Sequence, residues 1–214
     1  MSPRLRNFLI FLLAAIGPFL SAQAQTPDSP STVSSSSLIE PKEGPPEEVI
    51  FSFVQGFPEA HTDRRKWGRI VQGLKIENGF RFEDSPPGAT DVFVSPDVMV
   101  NGKPRQAISL LIVPGFETNL IFQNIPPGRR LRFFYALPDT LFQTANKAAV
   151  SFVQVEVLIG RKVLFEGQTN TKGWREKAVD LTLPYLLHRE LQVTIRTRSL
   201  DPAPQFLVFY GAIE

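Results

Sequence analysis

From residue 49 to residue 214 the chain is a succession of short alternating apolar stretches broken by turn residues. That pattern has the two-residue period of a strand and not the 3.6-residue period of a helix. Leu74-Lys75-Ile76-Glu77 and Phe80-Arg81-Phe82 flank Asn78-Gly79, a pair that accepts the positive φ of a type I′ hairpin turn. Asn101-Gly102 after Val98-Met99-Val100 reads as a second such turn, and Gly160-Arg161 suits a II′ turn leading into residues 162–165. Val153, Val155, Val157 and Ile159 share one face, with Gln154 and Glu156 opposite. Leu191, Val193 and Ile195 alternate with Gln192, Thr194 and Arg196, which predicts a half-buried strand with a wet polar face. Residues 206–213 are almost wholly apolar, as in a central strand. Further strands are expected at 50–54, 91–95, 108–113, 118–124, 130–136 and 179–183, and the Pro-Pro-Gly triplets at 86–88 and 126–128 are turns. Residues 141–150 offer the one short helix. Roughly ten strands with such punctuation predict an all-β fold, an antiparallel β-sandwich or jelly roll.

Residues 1–24 have the layout of an export signal: Arg4 and Arg6, an apolar run from Phe8 to Leu20, and Ala22-x-Ala24, with cleavage expected before Gln25. The run is interrupted by Gly17-Pro18 and is shorter than the roughly 20 residues of a membrane span. Residues 25–48 are rich in Ser, Pro and acids and read as a disordered leader, because such a composition buries too little apolar surface to order itself. Residues 49–214 then form a single β-sandwich domain. The signal holds two Arg and no acid, so its removal leaves 21 basic and 21 acidic residues. The whole-chain pI near 9.0 is therefore no nucleic-acid signature.

The chain contains no cysteine and only two histidines, His61 and His188. Thiol catalysis, disulfides, thiolate metal centres and His-rich metal clusters are excluded. An exported chain without cysteine fits a bacterial periplasm or exterior. No nucleophile elbow, zinc-protease helix or phosphate-binding loop motif occurs, so no catalytic residue is assigned and no cofactor or metal is expected.

The stretch 153–214 resembles the galactose-binding-domain-like jelly-roll superfamily. The resemblance is carried by Gly173-Trp174, Val179-Asp180-Leu181, the strand 191–196 and the closing Leu207-Val208-Phe209-Tyr210-Gly211-Ala212-Ile213. Residues 112–139 look like the middle hairpin of that group. The sequence departs from the pattern at His188-Arg189, where a Gly is usual, and at Tyr210, where a Trp is usual. The resemblance implies either carbohydrate recognition or a non-catalytic accessory role, and a fold alone does not choose between them.

Two tryptophans are candidates for a sugar-stacking ring. Trp67 stands between Arg64-Arg65-Lys66 and Gly68-Arg69, in what reads as a long polar loop beginning at Gly56. Loops carry binding residues, and the planar guanidinia of Arg64 and Arg65 suit hydroxyl-rich or anionic ligands. Trp174, followed by Arg175, has a second and more ordinary reading as a cap on one end of the core. Phe supplies 18 of the 23 aromatic residues, so most of the aromatic excess belongs in the interior. The clusters Arg129-Arg130-Arg132 and Arg196/Arg198 read as solvated strand faces or as a patch for an acidic glycan. The expected partner is a glycan or an envelope surface met through loops. The alternative is an assembly subunit of an envelope protein complex with no sugar site, and neither nucleic acid nor a lasting membrane span is expected.

Overall fold

A computed structural model describes residues 48–144, 152–199 and 204–214. The expected export signal, the leader up to residue 47 and residues 145–150 of the expected helix lie outside the described residues. In chain order the strands are β1 Phe51–Ser52, β2 His61–Lys66, β3 Arg69–Gln72, β4 Leu74–Ile76, β5 Gly79–Arg81, β6 Val92–Val100 and β7 Lys103–Ile112. There follow β8 Glu117–Ile125, β9 Arg130–Ala136, β10 Val153–Ile159, β11 Lys162–Thr169, β12 Arg175–Asp180, β13 Leu191–Ser199 and β14 Gln205–Ile213. Among the described residues, three α-helices interrupt them: α1 Phe53–Gly56, α2 Asp139–Thr144 and α3 Leu183–Leu186, with a 3-10 turn at Phe57–Glu59.

Every strand pairing among the described residues is antiparallel. The first sheet runs β12-β9-β14-β7-β6-β5-β4, with β1 added beside β14, and the second runs β11-β10-β13-β8-β2-β3. The all-β sandwich expected from the sequence is therefore the observed fold, with β14 inside its sheet as its apolar run demands. Phenylalanine fills the space between the sheets. Phe53, Phe57, Phe80, Phe82, Phe122, Phe133 and Phe209 are all buried. Phe133 lies at their centre, stacked on Phe209 at 5.4 Å and edge-on to Phe53 at 6.3 Å.

Two of the three expected turns have the conformation read from sequence. Asn101 and Gly102 adopt φ of 55° and 74°, and Gly160 adopts 59°, matching I′ and II′ geometry between paired flanks. The third hairpin forms one residue earlier than its Asn-Gly pair suggests. Ile76 pairs with Gly79, so Glu77-Asn78 make the turn and Gly79 belongs to β5. At that position the backbone of Gly79 passes so close to the Val92 carbonyl that a Cβ would collide with it.

The expected strand 50–54 stops at Ser52. The chain must leave the first sheet there to enter the second, and α1 makes the crossing while burying Phe53. The expected strand 179–183 lies earlier, at Arg175–Asp180, and the following residues form α3. The polar faces of β10 and β13 are less wet than expected. Gln154, Glu156 and Thr194 are buried, because Glu156 is held by Arg196 at 3.0 Å and Arg198 at 3.1 Å, and Gln154 is bonded to Glu166 and Arg198. The ladder continues through Arg196 to Glu117 and through Asn119 to Asp63, so opposite charges meet across four neighbouring strands. No helix among the described residues is long and apolar enough to cross a membrane.

Candidate functional site

The stretch around Trp67, expected to be a long loop, is instead a hairpin. Asp63 to Lys66 pair with Gln72 to Arg69, and Trp67-Gly68 form the two-residue turn between β2 and β3. Both turn residues are left-handed, with φ of 47° for Trp67 and 81° for Gly68. Type I′ turns favour Asn-Gly here, since a bulky side chain at positive φ is strained. The ring gains nothing from burial in exchange: Trp67 is 95% exposed. The Lys66 ammonium lies 4.8 Å from the indole and 4.5 Å from the Phe116 ring.

Beneath the turn is a cleft of about 580 Å³ lined by Lys66, Trp67, Arg69, Val71, Glu83, Asp84 and Phe116. Two aromatic rings, two cations and two carboxylates thus meet around one concavity. A flat ring accepts the C–H face of a sugar, while carboxylates and cations hydrogen-bond its hydroxyls, so the lining suits a neutral or mixed-polarity hydroxylated ligand. Glu83 and Asp84 follow β5, which brings them over from the first sheet to face the β2–β3 turn.

Arg64 does not line the cleft. It is only 1% exposed, lies 4.0 Å above the Phe82 ring, and donates to Asp84 at 3.1 Å and to Asp91 at 3.3 Å. Asp91 is fully buried and also accepts from the Phe82 N–H at 2.8 Å and the Ser85 hydroxyl at 2.7 Å. Sequence reasoning placed Arg64 as a ligand contact; it is instead the floor that fixes Asp84. Arg65 points to the other face of the strand. It is bound by both oxygens of Asp63, whose hydrogen bonds raise the guanidinium pKa further. Asp84 and Phe116 were not singled out from sequence, because each is adjacent to the turn only through the tertiary fold, and nothing in the sequence tied Glu83 to Trp67.

Trp174 belongs elsewhere. It precedes β12, is half-buried, and packs on Val98, Val100, Ala107, Ala136 and Val208. Its ring stands edge-on to Tyr210 at 4.9 Å, Tyr210 stacks on Phe134 at 4.5 Å, and Arg105 covers Tyr210 at 4.5 Å. This cluster is separate from the one between the sheets: Val208 alternates with the core residues Leu207 and Phe209, so Trp174 packs on the outer face of the first sheet and not on an end of the core as expected. Arg175 donates to Thr169 and Thr171 and is not part of the Trp67 cleft. Thr169 ends β11, four strand positions from β2, or about 19 Å at the usual strand spacing. The two tryptophans therefore do not share one site.

The basic clusters are largely neutralised. Arg130 pairs with Asp180 at 2.8 Å and Arg132 with Glu176 at 2.9 Å, the latter raising the Arg132 pKa. Burial pushes the Tyr210 and Tyr135 phenols above their ordinary value of 10.0, partly opposed by Arg105 and Arg175 respectively. The unfolded chain then loses these protons first. Stability is full below pH 10.0 and falls as pH rises through the folded-state values. Urea unfolding between about pH 8 and about pH 11 should show this decline, and Tyr210→Phe should reduce its slope.

No family model matches the sequence, and no curated protein matches it. Solved structures do. One, of carbohydrate-binding modules from the β-sandwich superfamily with promiscuous specificity, is similar at 14% identity and a TM-score of 0.44, over 78% of this chain and 61% of that one. TmCBM61 in complex with β-1,4-galactotriose is similar at 12% identity and a TM-score of 0.39, over 78% of this chain and 100% of that one. Caldicellulosiruptor saccharolyticus CBM27-1 in complex with mannohexaose gives 14% identity and a TM-score of 0.43, over 61% and 85%. Carbohydrate-binding modules are thus among the solved structures this chain is similar to.

Proposed function

We propose that this chain is an exported, non-catalytic β-sandwich that binds carbohydrate in the cleft under Trp67. The observation that carries this reading is the placement of the indole: almost fully exposed, at a strained φ, on the rim of a concavity that also holds carboxylates and cations. Trp67 and Phe116 supply ring surface, Glu83 and Asp84 accept from hydroxyls, and Lys66 and Arg69 donate. Arg64 positions Asp84 from below and is not itself a contact. A hydroxyl-rich ligand uses all three kinds of group at once, whereas an apolar ligand would leave the carboxylates desolvated and unpaired.

A glycan array and pull-down on envelope polysaccharide, run on wild type and Trp67→Ala, tests the reading. Wild type should retain at least one glycan class, and the variant should bind it about thirtyfold more weakly, as expected for loss of a central aromatic anchor. Equal retention by both proteins, or none by wild type, removes the proposal.

A further inference from the structure

The segment between β12 and β13 turns the usual logic of a surface helix inside out. Leu183, Leu186 and Leu187 fall at i, i+3 and i+4 and so form one face of α3 and its cap. Such a face is normally the one that packs on the core. Here it faces water: Leu183 is 72% exposed, Leu186 38% and Leu187 81%. Tyr185, on the opposite side, is the residue that packs against the core cluster and anchors the turn. The Lys162 ammonium, 5.5 Å from the Tyr185 ring, ties β11 to α3.

The surroundings are basic. Arg161 and Lys162 lie at the β10–β11 turn, and His188 and Arg189 follow α3 directly. All four are exposed, and none has an ion-pair partner among the described residues. The Gly160 N–H donates to the Gln192 carbonyl, so the turn and the α3–β13 connection meet at one end of the second sheet. Glu190 is the one carboxylate in the run 183–191. Protruding leucines with exposed basic side chains on the same and the adjoining segment match a surface with an apolar interior and anionic headgroups.

We propose that this end of the sandwich docks on an anionic lipid surface, with Leu183 and Leu187 entering the headgroup–acyl boundary and Arg161, Lys162 and Arg189 meeting phosphates. The strand registers place this end opposite the Trp67 turn. Leu191 pairs with Ile125 at one end of β13 and Arg198 with Glu117 at the other, and Glu117 in turn pairs with Arg65. Docking would hold the cleft away from the lipid, and the two proposals stand or fall separately.

The test is co-sedimentation of the protein, purified from an exporting host, with vesicles of phosphatidylcholine alone or mixed equally with phosphatidylglycerol. Wild type should bind the anionic vesicles, bind neutral ones far less, and weaken as salt rises. Leu183→Asp with Leu187→Asp should weaken binding roughly tenfold or more, and each of Arg161→Ala and Arg189→Ala about fivefold. Both leucines are exposed, so the variants should keep the wild-type dichroism spectrum and thermal midpoint. Absence of binding by wild type, or undiminished binding by the leucine variant, overturns the proposal. So does a wild-type dimer in sedimentation velocity that the leucine variant abolishes, which would make the patch a contact between copies.

Discussion

Replacing Arg64 by leucine is expected to lower the unfolding free energy by about 3–5 kcal/mol, the range for removing one member of a buried ion pair. Arg64 is 1% exposed and Asp91 fully buried, so neither water nor another cation can take the guanidinium's place. The Phe82 N–H and the Ser85 hydroxyl still reach Asp91, which keeps the loss from being larger. Leucine is shorter than arginine, so it fills only part of the space above Phe82 and leaves the Asp91 charge without its counterion. Asp91→Asn in the same background should therefore restore about half of the loss, because it removes the charge and keeps an acceptor for the Phe82 N–H. Urea unfolding of the two single variants and the double variant measures this coupling. Additive losses would mean that the ion pair does not hold the strands together. The same substitution frees Asp84, so ligand binding at the Trp67 cleft should weaken even under conditions where the variant remains folded.

Most of the sandwich was legible because its determinants are local. Asn101-Gly102 and Gly160-Arg161 specify turn conformations that no distant contact has to supply, and the alternation in 153–159 and 191–195 points each side chain to its layer. The β2–β3 hairpin was not legible for the opposite reason. His61-Thr62-Asp63-Arg64-Arg65-Lys66 is polar throughout and reads as loop, yet Thr62, Asp63 and Arg64 are all buried. Their burial is compensated by Asn119 and Asp91, partners 57, 56 and 27 residues away in sequence. A Trp at the first turn position also conceals the hairpin, since turn chemistry favours almost any small polar residue there. Of the residues singled out around Trp67, the fold brings Trp67 to the cleft and leaves Arg64 and Arg65 out of its lining. Charge density around Trp67 suggested ligand contacts, whereas the fold sends Arg64 inward and Arg65 to Asp63, and recruits Glu83, Asp84 and Phe116 to the cleft instead.

Trp67→Asn should separate function from stability with opposite signs. Most changes from Trp are costly because they empty part of a core, but this ring is 95% exposed and leaves no cavity. The backbone at φ 47° disfavours a bulky L-residue by about 1–2 kcal/mol, and Asn-Gly is the preferred pair for the turn that Trp67-Gly68 make. Against this stands the Lys66 contact with the indole, worth about 0.5 kcal/mol at an exposed site, and Lys66 keeps its second ring, Phe116. The variant should therefore be as stable as wild type or up to about 1 kcal/mol more stable. Glycan binding should at the same time fall by about thirtyfold or more, since the ring that closes the cleft is gone. Thermal unfolding and a binding titration on one preparation read both effects. A destabilised variant would show that the indole serves the fold, and a stable variant with undiminished binding would show that the strained ring is not a platform. A residue held in an unfavourable conformation, with no packing to justify it, points to a role outside the folded chain's own energetics, and contact with a ligand is the role proposed for it above.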